Sequence, residues 1–219
     1  MATRKTNILG KLSGRLGNTT TRIRYGKEII YSLPDRVKVS NSPAAIAARK
    51  RFGLTVNFSK YINSIPALSG VWKKAKVPGV NSYQRLIKHN QVPKGGANLT
   101  IKNIITPPGN LSRPLNCLYK DKNITLEIDG QLQSSLPFFV HMILYFYEPA
   151  GINLTDFSFV YMQKEINALE VNGNIFVSFE LNETQKLLFE KHNHCNLYAA
   201  LISSKENVEW SSTFSLNLK

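Results

Sequence analysis

Phe138-Phe-Val-His-Met-Ile-Leu-Tyr-Phe-Tyr147 is the longest apolar run in the chain, and His141 interrupts it. Ten residues fit a strand, and the run is about half the length of a membrane-spanning helix. Strand-sized runs recur on both sides of it. They cover residues 98–105, 115–119, 123–129, 157–163, 174–181, 196–203 and 210–218, with turn signals between them at Pro107-Pro108-Gly109, Asp129-Gly130, Pro149-Ala150-Gly151, Asn172-Gly173 and Glu206-Asn207. Short strands at roughly ten-residue spacing predict an all-β immunoglobulin-like sandwich over residues 97–219. Phe138, Phe139, Tyr145, Phe146, Phe157, Phe159, Phe176 and Phe179 are its expected core aromatics. Residues 182–192, opened by Asn182 and carrying Leu187, Leu188 and Phe189, read as a helical crossover.

Upstream of residue 97 the period changes. Ser42-Pro43 is a helix start, and an alanine-rich stretch follows it. Apolar residues at 47, 54, 58, 61 and 65 hold one helix face until Pro66 ends it. Helices are also expected near 67–76 and 82–90, the second with Arg85, Lys88 and His89 outward. Residues 19–33 read as a hairpin turning at Gly26-Lys27, either a small structural ribbon or one that lays Arg22 and Arg24 in a nucleic-acid groove. The segment before it, with Gly10, Gly14 and Gly17, reads as an extended arm that orders on a partner. The fold class is therefore α+β: a small basic hairpin and helical module over residues 1–96, then a β-sandwich domain over 97–219.

Charge separates the same two parts. Residues 1–95 hold 19 Lys and Arg against Glu28 and Asp35, a net +17, whereas residues 96–219 hold 9 against 12 carboxylates, a net −3. Such asymmetry points to a polyanion partner, nucleic acid first. The expected contacts are Arg15, Arg22, Arg24, Arg49, Lys50, Arg51, Lys73 and Lys74. Arg49-Lys50-Arg51 near a helix start repel one another and oppose the helix dipole, a cost that a bound anion offsets. Trp72 among Lys73, Lys74 and Lys76 reads first as a core anchor; stacking on a base is the other use of its ring, and of Tyr25. The remaining reading of the charge is a solvated basic surface that serves solubility.

Catalytic sets do not assemble. The glycine-rich arm neither follows an apolar strand nor ends in Gly-Lys-Ser/Thr. His192, His194 and Cys195 lie together but lack further ligands for a metal. No Gly-x-Ser-x-Gly or His-Glu-x-x-His occurs, and carboxylates are scattered. No enzyme activity, cofactor or metal is expected. Cys117 and Cys195 read as small buried residues of a reducing compartment, and the sequons at Asn98, Asn123 and Asn153 as incidental. No apolar segment follows Arg4 and Lys5 as a signal peptide requires. No membrane span is expected, and the setting is the cytoplasm or a virion.

Four stretches resemble an uncharacterised Bacteroidota family, a domain of unknown function. They are Gly10-Lys-Leu-Ser-Gly14-Arg-Leu-Gly17-Asn18; Gly26-Lys27 with Ser32-Leu33-Pro34; the helix from Ala44 to Arg49-Lys50-Arg51-Phe52; and the terminal pair Asn196–Ser203 and Ser211–Leu216. The resemblance implies a basic N-terminal region and a C-terminal β-sandwich, and it carries no catalytic or binding residues. Family members often have Tyr where this chain has Phe214, which lacks the hydroxyl. The charge leaves two readings: a non-catalytic protein that binds nucleic acid or another polyanion, and a homo-oligomeric component of a particle, filament or phage virion.

Overall fold

The computed structural model describes residues 2–3, 14–16, 19–24, 26–32, 39–130, 137–150, 156–166, 173–203 and 208–219. Two compact units emerge, Met1–Ile46 and Ala47–Lys219.

In the first unit, β1 (Ala2–Thr3), β2 (Gly14–Leu16), β3 (Thr19–Arg24) and β4 (Lys27–Ser32) form an antiparallel sheet in the order β1-β4-β3-β2. The expected hairpin is present, with Arg24 paired to Lys27. The turn between them takes a left-handed backbone at Gly26, φ 73°, which glycine adopts at little cost. Parts of the expected arm are strands: Gly14 pairs with Thr21 and Ala2 with Ile30. Tyr25 and residues 4–13, 17–18 and 33–38 lie outside the described residues.

The second unit is built around one sheet, ordered β11-β10-β7-β8. Its strands are β7 (Phe138–Pro149), β8 (Phe157–Ile166), β10 (His192–Ser203) and β11 (Phe214–Asn217). Side chains alternate across a strand, so the apolar run of β7 supplies two cores. Val140, Met142, Leu144 and Phe146 enter the first core, and Ile143 and Tyr145 enter the second. β10 does the same, with Cys195, Leu197, Ala199 and Leu201 on one face and Tyr198, Ala200 and Ile202 on the other. A strand buried on both faces has no polar alternation, which explains why this stretch reads as a continuous run.

Across the first core lies a second antiparallel sheet, β5-β6-β9, formed by β5 (Asn116–Lys120), β6 (Asn123–Ile128) and β9 (Ile175–Glu180). Ile124, Leu126, Ile128, Val177 and Phe179 face inward. Helix α4 (Glu183–Lys191) links β9 to β10 and adds Phe189 to this core. Asn182 caps it through a reciprocal pair: Gln185 N–H donates to Asn182 Oδ1 and Asn182 N–H donates to Gln185 Oε1, both at 2.9 Å.

The second core is closed by α1 (Pro43–Ser64), α2 (Pro66–Lys74) and α3 (Ser82–His89). Ser42 Oγ accepts from Ala45 N–H at 3.3 Å, as expected of the α1 N-cap. Leu54, Phe58 and Ile62, four residues apart, point α1 at the sheet. Leu68, Val71 and Trp72 do this for α2, and Leu86 for α3.

Two expectations differ from this structure. The division falls at residue 46 instead of 96, because the apolar faces of α1 to α3 share a core with Ile143, Tyr145 and Tyr198. Residues 98–105 form no strand. Asn103 N–H bonds the Thr100 carbonyl at 3.0 Å, and Thr100 N–H bonds Asn103 Oδ1 at 2.8 Å, so a local turn takes the groups a ladder would use. Side chains hold this loop in place: buried Asn90 pairs with both backbone groups of Ile104, and Asn196 and Tyr198 donate to the Leu99 and Thr100 carbonyls. Among the described residues no helix is long and apolar enough to cross a membrane.

Candidate polyanion-binding surface

Between Asp35 and Asp121 the chain contains fifteen Lys and Arg and no carboxylate. That segment includes the whole helical cover of the second unit. Any polar face these helices turn to water is therefore cationic or neutral. Arg49, Lys50, Lys60, Lys73, Lys74, Lys76, Lys88 and Lys94 are exposed, and Arg51 is half-buried.

Arg49, Lys50 and Arg51 stand in the second and third turns of α1. This lies past the first turn, where the dipole acts, so the dipole cost expected of them is small. The helix around them is exposed on nearly all sides from Pro43 to Phe52. Phe52 is 62% exposed, a large apolar ring directly after three cations. Sequence reasoning assigned no role to it. The signal available was that residue 52 is off the 54–58–62 stripe that packs on the sheet.

Lys73 and Lys74 lie in the last turn of α2, where cations complement the helix dipole. Trp72, beside them in sequence, belongs to the core and is withdrawn from the candidate contacts. Its ring is fully buried, and its Nε1–H donates to the Ile105 carbonyl at 2.8 Å, so no face is open to a base. Arg85 likewise differs from its outward assignment. Its guanidinium caps α2, with Nη1 donating to the carbonyls of Trp72, Lys73 and Ala75 at 2.7, 3.0 and 3.0 Å, and Nε donating to Gly79 at 3.1 Å. Gly79 has φ 151°, and a β-carbon there would stand 2.5 Å from Arg85 Cγ. Glycine is thus required beside the cap.

In the first unit, Arg22 is exposed and its guanidinium carbon sits 5.3 Å from the Tyr31 ring centroid, a cation–π arrangement. Arg15 and Arg24 are on β2 and β3, and their side chains lie outside the described residues.

Strand alternation separates Cys195 from His194, and His192 is buried beside Phe146. His194 stacks on Tyr147 and lies 3.2 Å from Glu148, while Cys195 is fully buried in the first core. Burial pushes the Cys195 thiol upward, and pushes Cys117 up to about 11, so neither supplies a thiolate at neutral pH. Both cysteines are free. Among the described residues no three His, Cys, Asp or Glu side chains are grouped to hold a metal ion. No family model, curated protein or solved structure matches the chain.

Proposed function

We propose that this is a non-catalytic protein that binds a polyanion, nucleic acid foremost, through the cationic face of its helical layer. The observation that carries this reading is the acid-free segment from Arg36 to Lys120, whose lysines and arginines, among the described residues, are mostly exposed on α1 to α3 and the adjoining segments. Arg49, Lys50, Arg51, Lys73 and Lys74 are the phosphate contacts of this reading, with Phe52 in place of Trp72 as the stacking group. Arg22, with Arg15 and Arg24, forms the corresponding set of the first unit. Contacts of this kind are electrostatic and weakly sequence-specific. The two-sheet body fits an immunoglobulin-like sandwich. Naming its seven strands a to g in chain order, a-b-e pack against g-f-c-d, with d on the side of c. The test is what accompanies the protein when it is purified at low salt. Nucleic acid that leaves at high salt supports the reading, and a preparation free of nucleic acid at low salt refutes it.

A second reading, a component of a particle, filament or phage virion, rests on the first unit. None of its described side chains is fully buried, so its sheet lacks a core of its own among those residues. Large homogeneous particles by light scattering, without nucleic acid, would favour it. Either role suits the cytoplasm or a virion, and the Bacteroidota family resemblance stays part of this proposal.

A further inference from the structure

The second core does not close completely. At the end of the interlayer, where α2 begins, a cleft of about 320 Å³ remains between Ala67 and Gly70 on the helix and Phe139, His141 and Ile202 on the sheet. Its walls are mostly apolar, and its volume is at the small end of ligand pockets.

His141 is only 1% exposed, and a buried imidazole needs an account of both nitrogens. The Tyr161 hydroxyl donates to Gln163 Oε1 at 2.7 Å. With its one proton spent, that hydroxyl accepts from His141 Nδ1, also 2.7 Å away. The network therefore places the ring proton on Nδ1 and leaves a lone pair on Nε2, which has no hydrogen-bond partner among the described residues. The opposing wall is the first turn of α2, which has Pro66 at its start, no side-chain cap and no acidic residue. Such a turn presents amide donors. Burial lowers the imidazole to about 4, so the ring is neutral at pH 7 and offers no charge to an anion.

We propose that this cleft binds a neutral, largely apolar small molecule of one or two rings that carries a hydroxyl group. The hydroxyl donates to His141 Nε2, its oxygen faces the uncapped turn of α2, and the rings lie against Phe139 and Ile202. This inference is independent of the polyanion reading, since the cleft contains neither Lys nor Arg.

The experiment uses the full chain at pH 7 with three probes: naphthol, its methyl ether and naphthoate. Nitrogen shifts of the His141 ring and ligand titration are recorded together. Naphthol is expected to bind and to move the Nε2 resonance. The ether, which has lost the donor, and the carboxylate, which meets an unprotonated acceptor, are each expected to bind at least about tenfold more weakly. Gly70→Leu supplies the control. A β-carbon at Gly70 meets no atom within 4 Å, so the larger side chain has room to enter the cleft. This variant should keep or raise Tm and lose naphthol binding by at least about tenfold. Equal affinity for the three probes, an unmoved Nε2 resonance, undiminished binding to a folded Gly70→Leu variant, or no binding at millimolar naphthol would each overturn the proposal.

Discussion

The two covers of the β11-β10-β7-β8 sheet bury similar kinds of side chain and present opposite kinds of surface. On one side α1, α2 and α3 insert Leu54, Phe58, Leu68, Trp72 and Leu86. On the other, β5, β6 and β9 insert Ile124, Leu126, Val177 and Phe179. Outwardly, the helical cover lies within a segment without a carboxylate, whereas the strand cover and α4 mix Glu127, Glu180, Glu183 and Glu190 with Lys120, Lys186 and Lys191. Packing therefore accounts for the inward residues of both layers, but it gives no reason for one layer to exclude acids. Like charges gathered on one layer raise self-repulsion, so that layer is the one expected to carry a partner.

The largest expected effect tests where Trp72 belongs. Trp72→Ala should cost about 3–5 kcal/mol in unfolding free energy by urea titration, because it opens a cavity in the second core and strands the Ile105 carbonyl. Phe176, 63% exposed on the strand cover, should cost about 0.5 kcal/mol or less on replacement by Ala. A Trp72→Ala protein of normal stability with impaired binding would return the ring to the surface.

Acid should weaken the helical side of the sheet through His141. The unfolded imidazole takes a proton near 6.5 and the folded one only near 4, so between these values the unfolded chain binds more protons. The His141 contribution is complete above pH 6.5 and is lost as pH falls to about 4, a difference of about 3 kcal/mol. Unfolding curves of wild type and His141→Leu across this window should converge toward low pH. Parallel curves would show that the ring is not held neutral by burial.

Next comes the cap. Arg85→Ala leaves carbonyls at the end of α2 without their donor and should cost about 2 kcal/mol in thermal or urea unfolding. Arg85→Lys should recover only part of this, since an ammonium lacks the planar fork. Full recovery by Lys would reduce the role of Arg85 to charge alone.

These elements also show what was readable beforehand. Ser42-Pro43, Asn182 and the apolar recurrence at 47, 54, 58, 61 and 65 are local signals that marked α1 and α4, although Ala47 is exposed and Tyr61 half-buried, with Ile62 buried beside Leu54, Phe58 and Ile65 instead. Strand-sized apolar runs separated by Gly, Pro and Asn turn signals located β5 through β11. Residues 98–105 misled because their apolar content is real; Ile105 and Leu99 are buried, but in a loop whose backbone is bonded by distant Asn and Tyr side chains. The division at residue 46 was hidden for a related reason. A change from helical to strand periodicity marks a change of element, and only the shared core of Phe58 with Tyr198, 5.4 Å between ring centroids, shows that both belong to one body. Of the candidate contacts, the cations of α1 and α2 were legible from charge. Trp72 is the core anchor that its helical spacing favoured, whereas the inward turn of Arg85 was not legible, since a guanidinium among lysines looks alike in sequence whether it faces water or a helix end.

The smallest effect on stability should be the most informative about function. Replacing Arg49, Lys50 and Arg51 by Ala should change unfolding free energy by about 0.5 kcal/mol or less per site. Binding of a labelled single-stranded oligonucleotide, followed by anisotropy across a salt series, tests directly whether the helical cover carries a polyanion. Wild type should lose affinity steeply as salt rises, and the triple variant should show a log–log slope shallower by about 2, near 0.7 for each phosphate contact removed. An unchanged slope in the variant, or wild-type binding that is absent or indifferent to salt, would contradict it.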